Sequence, residues 1–225
     1  ARTAAAPVLA KDPPVKVSSP GAAKGQQSVV IGAFNIGFIF ESVDRSGKQN
    51  QGGLMGAFGG TTKAKSKLVG VTPELMQAIT DAAYEDFKAQ LTAQGYTIND
   101  SAAMFASAEM AKAKATPAPY QVKVALEKGS TGETSYYKPS ALTNQYFLPG
   151  DIMPGSTGMF SGFAAAGMGM QAGQVQSAMM NYAKTSGQAV IGVTYLIDFS
   201  QVKRPGAFSF SSMKVNSGMA VVDEY

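Results

Sequence analysis

Twelve consecutive residues, Val29-Val30-Ile31-Gly32-Ala33-Phe34-Asn35-Ile36-Gly37-Phe38-Ile39-Phe40, carry one polar side chain among them, and no other part of the chain constrains the fold as tightly. In an extended strand successive side chains point to opposite faces, so a run apolar at nearly every position has no wet face. It predicts a central strand covered on both sides. Gly32 and Gly37 interrupt the run, and glycine inside a strand marks a bulge or a close approach of another element.

Around that strand the chain reads as α+β, with α/β the nearest alternative: a mixed sheet, about three helices packed on it, and an antiparallel C-terminal meander. Thr72 as N-cap, Pro73 at the first helical position and Glu74 in the first turn open a helix that runs to about residue 94. Leu75, Ile79, Ala83, Phe87 and Leu91 give it an apolar stripe, widened by Met76 and Ala82, and Gly95 closes it. A short strand at Tyr96-Thr97-Ile98 follows. Asn99-Asp100-Ser101 then caps an Ala-rich helix over 102–114, which Pro117 and Pro119 end. Tyr120 to Leu126 alternates as a strand with no evident mate. Val175, Met179, Tyr182 and Ala183 predict a helix over 172–185 that stops at Gly187, and Ala189 to Val202 is a long strand. After the Arg204-Pro205-Gly206 turn, strands over Ala207 to Val215 and Met219 to Val222 complete the meander. The organisation is an extended arm over 1–27 and one domain over 28–225, with long Gly-rich loops at 42–67 and 128–171.

The chain of 225 residues contains no His, Cys or Trp. Thiol nucleophiles, imidazole bases, Cys/His zinc sites and His triads are therefore excluded. The remaining motifs have plainer explanations than catalysis. Lys63, Lys65 and Lys67 follow a glycine tract but lack the spacing of a phosphate loop, and read as a solvated loop. Gly167-Met168-Gly169-Met170-Gln171-Ala172 fits a dinucleotide fingerprint in letters only, since no strand precedes it. Ser211-Ser212-Met213-Lys214 has a serine–lysine dyad spacing in a segment that reads as strand rather than helix start. Asp81, Glu85 and Asp86 read as a wet helix face. No catalytic residue, cofactor or metal is expected.

Residues 1–67 carry nine basic side chains and three acidic ones, but the excess sits in a Pro/Ala-rich arm and a Gly-rich loop, not on a platform with interleaved aromatics. Nucleic acid is not an expected partner. The opening Ala1-Arg2-Thr3-Ala4-Ala5-Ala6-Pro7, without Met, fits the mature end left by a removed secretory signal, which points to an exported bacterial protein. The arm, with Pro7, Pro13, Pro14 and Pro20, reads as a leader or as a segment ordered against a neighbouring subunit. The Gly/Met/Phe tracts supply the candidate contact residues: Leu54, Met55 and Phe58 in one, Met159, Phe160, Phe163, Met168 and Met170 in the other. They lack a clear amphipathic period, so they either tuck onto the core or form an adhesive surface for subunits or lipid.

The strand ending Gly32-Ala33-Phe34-Asn35-Ile36-Gly37, the helix over 72–94, the Gly95-Tyr96-Thr97-Ile98 strand and Val190-Ile191-Gly192-Val193-Thr194-Tyr195 together resemble the CsgG-like family of curli-export lipoproteins, over about half of the chain. The resemblance implies an α+β periplasmic-facing domain at the outer membrane that assembles into rings. The family's lipid-bearing Cys has no counterpart here, and the sequence shows no clear pair of alternating strands for a membrane hairpin. Pore formation is therefore not carried over, and no residue is transferred as functional. The expectation is a non-enzymatic, exported, self-assembling subunit of a cell-envelope or secretion-related structure. Its partners would be further copies of itself and an outer-membrane or other envelope component. A periplasmic domain that closes its apolar loops over a ligand or lipid is the alternative.

Overall fold

A computed structural model describes residues 25–47, 61–67, 70–125, 131–152, 161–203 and 214–222. The apolar run lies in strand β1 (Ser28–Gly47), the centre of a mixed, curled sheet. Val30, Phe34 and Phe38 are at most 1% exposed, as expected of a strand covered on both faces. On one side β1 pairs in parallel with β3 (Thr97–Asn99) and then antiparallel with β5 (Thr131–Tyr137), which pairs with β4 (Tyr120–Ala125) at the sheet's edge. On the other side it pairs in parallel with β6 (Ala189–Lys203), and β6 pairs antiparallel with β7 (Lys214–Val222). Gly32 is the extra residue where the β1–β6 register shifts, and a Cβ there would stand 2.7 Å from Val190 and 3.1 Å from Met179. Both expected roles for that glycine, bulge and close helix approach, coincide in one residue.

Helix α1 (Pro73–Ala93) covers one face of the sheet. Its start is the predicted one: Thr72 accepts a hydrogen bond from the Leu75 amide at 3.3 Å, and Gly95 takes φ +90° just past the end. Ile79, Ala83, Phe87 and Leu91 of the expected stripe pack on the core beside buried Met76, but the face also takes in Thr80 and Tyr84, while Leu75 is 48% exposed. Two polar residue types hide this face in the sequence. The Thr80 hydroxyl is satisfied by the Met76 carbonyl at 2.8 Å, and the Tyr84 ring stands edge-on to Phe34 at 5.2 Å.

The opposite face is covered by α3 (Ser161–Ser186), through Val175, Ala178, Met179 and Tyr182, together with Tyr146, Met104 and Met110. Three expectations are corrected here. The helix expected over 172–185 begins eleven residues earlier, at Ser161, so a glycine-rich tract that reads as loop is helical. The helix expected over 102–114 is instead the short α2 (Ser101–Phe105), capped by Asp100 as expected, followed by a 3-10 turn at Met110–Lys112. The loop expected over 128–171 contains β5, the missing mate of β4.

The loop expected over 42–67 is corrected as well. Residues 41–47 continue β1 and pair antiparallel with β2 (Thr61–Lys67), so Lys63, Lys65 and Lys67 are strand residues. Glu41, Ser42 and Val43 pair with β5 on one side and with β2 on the other. Beyond Ile39, therefore, β2 takes the side of β1 that β6 holds below it, and the sheet forks. One prong is the β1–β2 hairpin; the other is the β6–β7 hairpin, paired from Leu196 with Val222 to Lys203 with Lys214. Met219–Val222 is part of β7 rather than a further strand, so the expected meander is, among the described residues, a single hairpin.

Candidate functional site

The candidate contact residues do not form one patch. Leu54, Met55, Phe58, Met159 and Phe160 lie outside the described residues, and Phe163 falls in the first turn of α3. Met168 and Met170 are two positions apart on a helix, so they point in different directions. Met170 is 70% exposed, whereas Met168 is half-buried and receives the Tyr120 hydroxyl on its Sδ at 3.6 Å. The dinucleotide-like glycines 167 and 169 sit inside α3, where no strand-to-helix turn exists to hold a pyrophosphate.

Met168 belongs to an apolar concavity, a cleft of about 320 Å³ between α3, residues 114–120 and residues 147–152. Pro117, Tyr120, Leu148, Pro149, Ile152 and Met168 form its walls, with Ala172 and Val175 beneath. The aromatic side is closely packed: Phe147 lies 5.3 Å from Tyr136 and 5.7 Å from Tyr120, centroid to centroid. Gln171 fixes the rim by donating to the Lys114 carbonyl at 2.9 Å and to the Thr116 hydroxyl at 3.4 Å. The Thr116 amide in turn donates to the Gln145 carbonyl at 2.8 Å. Lys114 is the one charged residue among those lining the cleft. A second, polar hollow of about 510 Å³ runs along α1, where Lys88 pairs with Glu85 at 2.7 Å and lies 4.9 Å from the Tyr84 ring centroid.

Under the cleft a polar chain ties segment 145–151 to the sheet. Asn35, the one polar residue of the apolar run, is 0% exposed; its Nδ2 donates to the Tyr146 carbonyl at 2.9 Å and to the Thr194 hydroxyl at 3.1 Å. Gln145 donates to Asn35 Oδ1 and to the Tyr136 carbonyl, each at 3.2 Å. Asp151 closes the chain, accepting from the Leu148 amide at 2.7 Å and from the Thr194 hydroxyl. Burial pushes the Asp151 carboxyl above its ordinary value, against the opposing pull of those two donors. These residues carry no motif. The one signal available to sequence reading was a lone amide in an apolar strand, since a buried polar group requires partners.

The carboxylates offer little acid–base chemistry. Asp81, expected on a wet helix face, clamps the loop after β5: Oδ1 accepts from the Ser140 amide at 2.6 Å and from Gln77 at 3.0 Å, and Oδ2 from the Ser140 hydroxyl at 2.9 Å. Asp100 is spent as a cap, and Asp151 stands apart from both. Among the described residues no three acidic side chains converge as a metal site would need. What the arrangement offers is a preformed apolar concavity with one cationic rim residue.

The architecture defines an α+β domain: a mixed sheet with helices on both faces. No family model matches the chain, and neither a curated protein nor a solved structure matches it.

Proposed function

We propose that this chain is a non-enzymatic structural subunit of an exported bacterial cell-envelope or secretion-related assembly, and that it associates with further copies of itself. The fork in the sheet is the observation that supports this reading. Beyond Ile39 and Asp198 the two hairpins separate, and among the described residues no strand pairs with the outer edge of β2 or with the β1-facing edge of β6 past Asp198. Unpaired strand edges present a row of backbone donors and acceptors, which is a template for another chain. A subunit that adds its own strand to its neighbour's edge satisfies those groups and buries the fork.

Light scattering of the intact chain at micromolar concentration tests the reading. A discrete oligomer is expected, and Ala64→Pro in β2 or Gln201→Pro in β6 lowers its mass while the circular dichroism of the core stays unchanged. Proline removes a backbone donor and is tolerated only at an edge that stays unpaired. A monomer under these conditions overturns the proposal. The cleft favours one other reading, a ligand- or lipid-binding domain. It predicts uptake of an apolar fluorescent probe by a monomer, abolished by Met168→Glu.

A further inference from the structure

We infer that the cleft beside α3 binds a single-chain amphiphilic carboxylate, a free medium-chain fatty acid, with its carboxylate at Lys114, Thr116 and Tyr120 and its chain against Leu148, Ile152 and Met168. The inference rests on the ligand-binding reading of the cleft given above, names the ligand, and holds for a monomer and an oligomer alike.

The polar side of the cleft selects the head group. Lys114, Thr116 and Tyr120 line it, and none of the lining residues is acidic. Among the described residues no carboxylate pairs with Lys114. The Thr116 hydroxyl accepts from Gln171 at 3.4 Å, which leaves its own hydrogen to donate. The Tyr120 hydroxyl donates at 3.6 Å to the Met168 thioether, and among the described residues it has no better acceptor. Such a sulfur accepts weakly, whereas a carboxylate oxygen receives a hydroxyl strongly, so an arriving anion gains a bond and displaces little. Met168 and Gln171 are three positions apart on α3 and are therefore neighbours on one face. Tyr120 is held at the first of them, and Thr116 with the Lys114 backbone at the second, so the donors gather along one rim.

The walls select the tail. Pro117, Leu148, Pro149, Ile152 and Met168 offer aliphatic surface over a floor of Ala172 and Val175. The volume of about 320 Å³ is near the lower end of the range of roughly 300–1,000 Å³ for ligand sites, which suits one hydrocarbon chain better than the two of a membrane phospholipid. The wall is also set in advance, so a ligand meets it without a cost of reorganisation. Asn35 donates to the Tyr146 carbonyl, and Asp151 accepts from the Leu148 amide and the Thr194 hydroxyl, which ties segment 146–151 to β1 and β6. Gly192 leaves the notch that Leu148 fills, since a Cβ there would overlap Leu148 Cδ1.

The test titrates the full chain, carrying isotope-labelled methionine methyls, with octanoate at low salt and neutral pH, and follows it by NMR. The Met168 methyl signal, assigned by its loss in Met168→Leu, should shift saturably while that of exposed Met180 stays in place. Affinity should rise about four-fold with each added methylene and stop rising once the cleft is full. Octanol and octyltrimethylammonium, with the same chain, should bind at least about five-fold more weakly. Lys114→Gln should weaken octanoate by about three- to ten-fold and leave octanol unchanged, a pattern that misfolding does not produce. Tyr120→Phe, which keeps the ring, should weaken octanoate about ten-fold. Octanol binding as tightly as octanoate, or both substitutions without effect, overturns the inference and leaves an apolar-ligand site standing. No shift at Met168 with any chain from hexanoate to dodecanoate overturns it together with the ligand-binding reading. A shift with phosphatidylglycerol vesicles but not with octanoate overturns it in favour of a lipid surface. Light scattering of the same samples reads the assembly separately, since binding is expected whatever the mass.

Discussion

Asp81 and Asp151 are each held by backbone and hydroxyl donors, yet their environments push them in opposite directions. At Asp81 burial pushes the carboxyl up, but the Ser140 amide and hydroxyl, the Gln77 amide and the Lys138 charge outweigh it and hold the carboxyl below its ordinary value. Its contribution is therefore present above the ordinary carboxylate range and is lost as pH falls through the lowered value. At Asp151 burial wins, so the contribution is fully present below the ordinary value and is lost as pH rises through the raised one. Asp151→Asn keeps an acceptor for the Leu148 amide without the charge, and should stabilise the fold at pH 7 by about 1 kcal/mol, the gain vanishing near pH 3. Asp81→Ala should cost up to about 1 kcal/mol at pH 7, less where solvent screens the site, and nothing in strong acid. Thermal melts of both variants across that pH range check the pair: parallel curves would show that neither carboxyl titrates as its surroundings require.

At the scale of elements, α3 is the instructive case. Its N-terminal half holds Gly162, Gly167, Gly169 and Gly173, each a poor helix former, and the stretch has no clear apolar period. A helix over 172–185 was legible because Val175, Met179 and Tyr182 recur at helical spacing; the eleven residues before it were not, because glycine and alanine mask the pattern. A Cβ at Gly167, Gly169 or Gly173 would meet nothing within 4 Å, so packing within the subunit does not require these glycines. Gly167→Ala and Gly173→Ala should each raise unfolding free energy by about 0.5–1 kcal/mol in chemical denaturation. A loss of stability instead would mean that another chain or segment packs against the helix there. The inclusion of Thr80 and Tyr84 in the buried face of α1 has a related cause, since a buried threonine and tyrosine read as polar until their partners are known.

For the whole molecule, the consequence of the fork is a gradient of stability. β1 has β6 along one edge from Val29 to Ile39, β3 or β5 on the other edge at Val29–Val30 and Ile36–Ile39, and helices on both faces, so the amides of Val29–Val30 and Ile36–Ile39 should exchange slowest with solvent. The amides of β2 and of β6 beyond Asp198 should exchange faster in dilute solution and slow as concentration rises, which hydrogen exchange at two or three concentrations measures directly. Exchange independent of concentration at those strands would count against assembly through them.

By itself, the sequence determined the α+β class, the central strand with its bulge, the caps of α1, α2 and the end of α3, and the long strand β6. Those features depend on local rules: side-chain period, glycine at left-handed positions, a hydroxyl or carboxylate one residue before a helix. Only the tertiary structure decided that residues 41–47 and 61–67 form a hairpin, that β5 is the mate of β4, and that Met168 lines a cleft while Met170 faces out. It alone showed that Asn35, Thr194, Gln145 and Asp151 form one chain. Each of these depends on groups brought together from distant parts of the chain. A polar or glycine-rich strand gains its stability from the neighbour it pairs with, and a buried amide from the partner that satisfies it, so no local pattern announces either.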